Sequence, residues 1–344
     1  MGLRTDWMAG KYGVMVHYLL PGPAPERGSF ITDINAVADG FDVAGMLEQF
    51  SRTGADWFVF TFGQNTGFYA SPSQTIDRLC GPGHCTRRDL VLEIARGVHA
   101  MGKRFIGYMP CEVNANTTLH EGFAWEKREG TDQAEFQRRY TALVREWGER
   151  FGTLLDGWWF DGCYTWGVFN NSMMNWPMWY DAARAGNPDR AVTFNDGSFC
   201  GGAEAPIRPE HDYTAGETET LIDGKIRFGR GKNARVCLPS SRFVPGTQCQ
   251  WHCLIPIDCF WGHGSFTTEF AKQDWLKGLR FRPVSVDYRG PMEEPIYSDA
   301  ELRGFLSSVI GSGGAVTFNI GIYQEGHLAP LTVEQVARIG RVAR

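Results

Sequence analysis

From residue 13 to residue 343 the chain alternates short β-rich runs with amphipathic helical patterns, and this alternation constrains the fold more than any other feature. GVMVHYL (13–19) is followed by FDVAGMLEQFSRTG (41–54), whose apolar spacing predicts a helix closed by a glycine. WFVFTFG (57–63) precedes RRDLVLEIARGVHAMG (87–102), and RFIGYMP (104–110) precedes DQAEFQRRYTALVREWGERFG (132–152). Further strand-like runs are GWWFDG (157–162), AVTFNDG (191–197), WHCLIPID (251–258), VSVDYRG (284–290) and AVTFNIGI (315–322), with helices predicted at 298–314 and 331–343. About eight strands alternating with helices predict a (β/α)8 TIM-like barrel, an α/β fold. The glycine-rich, poorly periodic section 198–250 does not fix the sixth strand. No linker, repeat or low-complexity tract divides the chain, so residues 1–344 are expected to form a single domain.

Composition removes several function classes. With 43% hydrophobic and 13% aromatic residues the chain can bury a large core. A net charge of −5 and a pI near 5.9 offer no basic footprint, so nucleic acid is not expected as a partner. No apolar run approaches the ~20 residues that span a bilayer, and Arg4, Asp6 and Lys11 interrupt the start, so no membrane partner is expected either. The N-terminus lacks the sections of a secretory signal, which predicts a cytoplasmic protein or a processed mature form. Nine cysteines, an odd number in a large chain, read as reduced thiols rather than a disulfide framework. Cys249, His252, Cys253, Cys259 and His263 are zinc-binding types, but the paired Cys-x2-Cys spacing is missing, so no metal and no other cofactor is expected. GRGKNAR (229–235) lacks the strand-then-helix setting of a phosphate loop and reads as a basic surface turn.

In such a barrel the active residues sit at the C-terminal ends of the strands. His17, Gln64, Asn65, Glu112, Asp161, Asn195, Asp196, Asp258, Asp287 and Asn319 fall there. A rim is polar in any case, and most of these residues need no further explanation. Asp161 differs. It closes LLDGWWFDG (154–162), one of the most buryable segments of the chain, where an unpaired carboxylate is costly. It is a member of an ion pair, a turn former, or a group held for chemistry.

Taken in barrel order, these segments resemble glycoside hydrolase family 29, the α-L-fucosidases. KYGVMVHYL (11–19) resembles that family's first strand, and GADWFVFTFGQNTGFYASPS (54–73) the second strand with its His-His-Asp-Gly-Phe turn. RRDLVLEIARGVHAMGKRFIGYM (87–109) resembles the helix and strand that follow. WWFDG (158–162) is similar to the Trp-Phe-Asp-Gly segment that holds the nucleophile, FNDG (194–197) to an Asn-Asp-Arg element, and SSVIGSGGAVTFNIGIYQEGHL (307–328) to the closing segment. The resemblance implies a retaining exo-glycosidase that removes a terminal fucose or similar sugar, with a carbohydrate as partner, no cofactor, and self-association left open. It also implies a catalytic barrel without the family's usual β-sandwich.

On this resemblance Asp161 is the expected nucleophile. Glu217, five residues after Asp212 in HDYTAGETE (211–219), is the expected acid/base, with Glu219, Glu112 and Glu204 in reserve and a solvated loop as the plain alternative. His17 matches a strand-end His that contacts the sugar. Gln64 and Asn65 stand at the His-His pair, Thr66 at the following Asp, Gly197 at the Arg, and His252 after Trp251 near a usual Trp-Glu pair. Asn195 and Trp159 are also expected to contact substrate, while Phe68, Trp251 and Trp261 either wall the sugar or fill the core. Because the departures fall on sugar-binding positions, two other readings stay open: a hydrolase for a galactose-like sugar, and a carbohydrate-binding barrel without catalysis.

Overall fold

Alternation along each strand decides what the barrel holds inside and what it shows to its helices. In the computed structural model, which describes residues 2–197, 205–228, 234–264, 272, 280, 281, 284, 285, 288 and 290–343, Val14 and Val16 of β1 (Tyr12–Val16) pack outward while Met15 turns inward. The same division holds for Phe58 and Phe60 against Trp57 and Val59 in β2 (Trp57–Thr61), and for Phe105 and Met109 against Ile106 and Tyr108 in β3 (Arg104–Pro110). In β4 (Gly157–Asp161), Trp158 and Phe160 face the helices and Trp159 the interior; in β5 (Ala191–Phe194), Val192 and Phe194 face out and Ala191 in. Because both faces are buried, these strands read as continuous apolar runs, as parallel sheets do.

Three short strands, β6 (Thr220–Ile222), β7 (Lys225–Phe228) and β8 (Arg235–Cys237), form a separate antiparallel sheet. Asp223 and Gly224, both at positive φ, turn β6 into β7, as Asp-Gly hairpins do. The barrel resumes with β9 (His252–Pro256) and β10 (Ala315–Asn319). Seven strands run parallel in the order β5-β4-β3-β2-β1-β10-β9.

The opening between β5 and β9 is filled by residues 212–218, which make only isolated bridges. Asp212 N donates to Val192 O on one side, and Thr214 N to Gln250 O on the other. Farther up, Leu254 N donates to Gly216 O and Thr218 N to Leu254 O. This is the eighth stave, and the fold is a (β/α)8 TIM-like barrel. The stave lies inside the section that the sequence left unresolved. The expected strand at 284–290 is a correction: its described residues take no place in the seven-stranded sheet, and Asp287 lies outside the described residues.

The predicted helices appear at Val43–Thr53, Leu90–Ala100, Ala134–Phe151, Asp299–Gly311 and Pro330–Ala343. Gly54 ends the first of them at φ 71°, a left-handed cap open to glycine. Arg190, fully buried, fixes the segments beneath β4 by donating all five of its N–H bonds to the carbonyls of Leu155, Ala183, Ala185, Gly148 and Gly152. No helix among the described residues is long and apolar enough to cross a membrane.

Candidate active site

Asp161 is the last residue of β4 and faces inward, one layer above Trp159. Only 9% of its surface is exposed. Four donors converge on it. Gln64 Nε2 reaches Oδ2 at 2.6 Å and the Tyr108 hydroxyl donates to the same oxygen; Asn195 Nδ2 at 2.9 Å and Gly162 N at 2.8 Å reach Oδ1. None of these contacts asks Asp161 for a proton, so the pattern fits a carboxylate acceptor. No ion pair involves it among the described residues.

Glu217 stands near the top of the irregular stave, bridged to Leu254. Asn195 connects the two carboxylates: the nitrogen that reaches Asp161 also donates to Glu217 Oε2 at 2.6 Å. The two oxygens therefore lie no farther apart than those two lengths end to end. Burial, then the negative charge of Asp161, pushes the Glu217 carboxyl up to about 8, against the lowering effect of the Asn195 hydrogen bond. A solvated loop face does not describe this residue.

Gly216 makes the placement of Glu217 possible. Its φ is +63°, and a Cβ there would lie 2.0 Å from His252 O and 2.5 Å from Cys253 Cα. Gly216→Ala is expected to destabilise the protein by about 3 kcal/mol or more, from the left-handed backbone and the backbone clash together. Chemical denaturation followed by circular dichroism measures this, and wild-type stability in the variant would contradict it.

A second chain of contacts supports Asp161 from β1. Since the Gln64 amide donates to Asp161 through nitrogen, its Oε1 accepts from His17 Nε2–H at 2.8 Å. Burial is the main cause that lowers the His17 ring to about 4, so it is neutral at pH 7. Gln64 is thus a partner of the carboxylate, tied at its own carbonyl by Asn116 Nδ2. Its neighbour Asn65 is exposed on the loop beyond.

The expected apolar wall is mostly elsewhere. Trp251 is buried in the outer core between strands and helices, with Cys249, Cys253 and Ile255. Phe68 is half-buried against the same outer core, its ring 6.3 Å from that of His84. Trp159 supports from below: its indole N–H donates to Ala215 O at 3.1 Å, and its ring stacks on Tyr108 at 5.3 Å. Trp261 alone of these borders the interior at the strand ends, at φ +63°, its carbonyl accepting from Asn319 Nδ2. His252 is a lower-layer residue, bonded to Thr214 O and Thr317 Oγ1, and does not stand at the rim.

Of the reserve carboxylates, Glu112 lies beside the site. A Cβ on Gly162 would come within 3.0 Å of its Cγ, and burial pushes its carboxyl up to about 7. Glu219 contributes to the field on Glu217, and Glu204 lies outside the described residues. Asp196 is buried next to Asn195 and its carboxyl is raised to about 6 by that burial. Asp258 caps the Gly321 backbone N–H at the end of β9 and serves the turn. The expected sites omitted Tyr108 and Tyr164. Tyr108 was accessible from strand parity, because an inward residue two before the end of β3 reaches the rim through a long side chain. Among the described residues no cluster of His, Cys, Asp and Glu could hold a metal, and strand alternation separates His252 from Cys253.

No protein-family model and no curated protein matches the chain. Among solved structures it is similar to the endo-fucoidan hydrolase MfFcnA9 of glycoside hydrolase family 107, with 16% identity and a TM-score of 0.63 over 98% of this chain and 64% of the other. The endo-fucoidan hydrolase P5AFcnA of the same family gives 14% and 0.63, covering 99% and 94%. Alpha-L-fucosidase isoenzyme 1 from Paenibacillus thiaminolyticus gives 16% and 0.63, covering 98% and 75%. The chain spans 64% and 52% of the first two structures it matches. At these identities the likeness establishes the barrel.

Proposed function

We propose that the protein is a retaining glycosidase acting on fucose or a sugar of similar hydroxyl layout. The observation that carries this reading is the single amide of Asn195 joined to two carboxylates. Retaining enzymes hold their carboxyl pair roughly 5–5.5 Å apart, whereas inverting enzymes need about 6.5 Å or more to admit a water. Two oxygens sharing one nitrogen at 2.9 and 2.6 Å support the closer of these two spacings.

In the proposed reaction Asp161 attacks the anomeric carbon while Glu217, protonated at neutral pH, gives its proton to the departing glycosidic oxygen. Attack takes one lone pair of Asp161, so one of its four donors turns to the sugar as the bond forms. The ester that results no longer carries the charge of Asp161, and with it goes one of the two main causes that hold Glu217 protonated. Glu217 then takes a proton from water, which cleaves the ester and restores both groups. Asn195 keeps the pair in register, and His17 orients Gln64.

The solved structures of similar fold include proteins named as fucosidases and as endo-fucoidan hydrolases, which supports fucose as the first sugar to test and leaves the position of the cut to the experiment. Gln64 and Gly197 alter the ring of contacts that the family 29 resemblance implies, so the panel extends to galactosides. An aryl glycoside and oligosaccharide panel, with proton NMR of the first-formed product, tests the reading. Release of fucose or a similar sugar with its anomeric configuration kept supports it. An inverted product rejects the retaining mechanism, and no turnover of any glycoside rejects the hydrolase.

A further inference from the structure

Beyond the end of β9 the chain makes a strained turn. Trp261 stands in it at φ +63°, a left-handed conformation that is unfavourable for a tryptophan and persists only where the surroundings over-determine it. Its ring packs against the apolar residues of the barrel interior. Contacts on either side hold the backbone there. Asn319, fully buried at the end of β10, donates through Nδ2 to the Trp261 carbonyl at 2.8 Å. Two residues on, the His263 carbonyl accepts from Ala24 N at 3.1 Å. Gly264, at φ +58°, lets the chain pass so close that a Cβ there would lie 2.8 Å from that of Ala24. The buried His263 ring meets Tyr288 and Tyr323 edge-on, at 5.6 and 5.2 Å, and donates through Nδ1 to Glu293 Oε2 at 2.5 Å.

Glu293 is the costly member of this set. Its side chain is 10% exposed, and its second oxygen, Oε1, is buried and accepts no hydrogen bond. A buried carboxylate with one oxygen unserved is unfavourable, and what it gives in return is the bond to His263. We infer that Glu293 is a positioning residue: it anchors His263 and thereby holds Trp261 in the left-handed turn that points the indole into the barrel, where the ring walls the sugar. This inference rests on the glycosidase reading above. Relaxation of Trp261 to negative φ re-aims its Cβ, so a freed turn takes the ring away from the interior. A flat apolar wall contacts the sugar before and during the reaction alike, so losing it is read in KM rather than kcat. The anchor needs an acceptor, not a charge, and a glutamine at 293 can still supply one.

The test is steady-state hydrolysis of an aryl glycoside that wild type turns over, the α-L-fucoside first, by Glu293→Ala, Glu293→Gln, Trp261→Ala and the Glu293→Ala/Trp261→Ala double variant. Trp261→Ala and Glu293→Ala are each expected to raise KM roughly tenfold with kcat within about twofold, and Glu293→Gln to recover most of the loss. Because Glu293 acts through Trp261, adding Glu293→Ala to Trp261→Ala is expected to change KM by less than about twofold. Should Glu293→Ala not fold, Glu293→Leu, which fills the buried space without an acceptor, takes its place in the same comparison. Additive losses in the double variant, or an unchanged KM in either single variant, overturn the anchor while leaving the glycosidase standing. If wild type hydrolyses no glycoside, the glycosidase reading fails, and the anchor of a sugar wall with it.

Discussion

On the proposed mechanism, Asp161→Asn is expected to lower kcat/KM for an α-L-fucoside by on the order of 10^4-fold or more, because the covalent route that divides one difficult step into two is lost. The substitution is nearly isosteric but not innocent. Each carboxylate oxygen accepts from two donors, Gln64 and Tyr108 on one side and Asn195 and Gly162 on the other. Whichever oxygen becomes an NH2 group faces two N–H or O–H groups, at a cost of about 1–3 kcal/mol in stability. Asp161→Gly separates chemistry from this mismatch. Azide entering the vacated space is expected to restore turnover and to give a glycosyl azide of inverted configuration. Activity that survives both substitutions would remove Asp161 from the reaction.

Glu217→Gln is expected to have the second largest effect, with a different signature. Loss of a general acid/base costs about 10^2–10^4-fold, mostly for poor leaving groups. An aryl fucoside with a good leaving group should still form the covalent intermediate and then stall, which appears as a burst of phenol. In wild type the acid must be protonated, so activity falls as pH rises through about 8, the value at which Glu217 is held. That limb should vanish in Glu217→Gln. For Glu217→Ala, azide should rescue with retained configuration, the opposite of the Asp161 result. A limb that persists near pH 8 in the variant would move the acid role to another group, with Glu112, raised to about 7, the next carboxyl to test.

What could be read from the sequence follows from how each feature is written into it. Strands buried on both faces leave long apolar runs, and a carboxylate closing one of them, Asp161, is conspicuous without any structure. The stave at 212–218 is not conspicuous, because its few apolar residues, Tyr213 and Ala215, alternate with polar ones and it pairs by scattered bridges around Gly216. Glu217 was reachable only through the family resemblance. Trp251 stayed open between sugar wall and core because composition does not say which way a ring points; the alternation that sends His252 inward puts Trp251 with Cys253 and Ile255 in the outer core. Gln64 was read as a sugar contact, yet its amide serves the carboxylate and His17. Tyr108 shows the reverse: alternation along RFIGYMP turns it inward to Asp161, while in sequence it is one more aromatic residue in an apolar strand.

The central claim is that Asp161 forms a bond to the sugar. Incubation with 2-deoxy-2-fluoro-fucosyl fluoride, followed by mass spectrometry of the intact chain and its peptides, tests this most directly, since the fluorine slows both steps and the fluoride leaving group speeds the first. One sugar per chain on the peptide containing Asp161, and none in Asp161→Asn, is the result expected. A label on Glu217 or Glu112, or no label in a protein that still turns over α-L-fucosides, would contradict it.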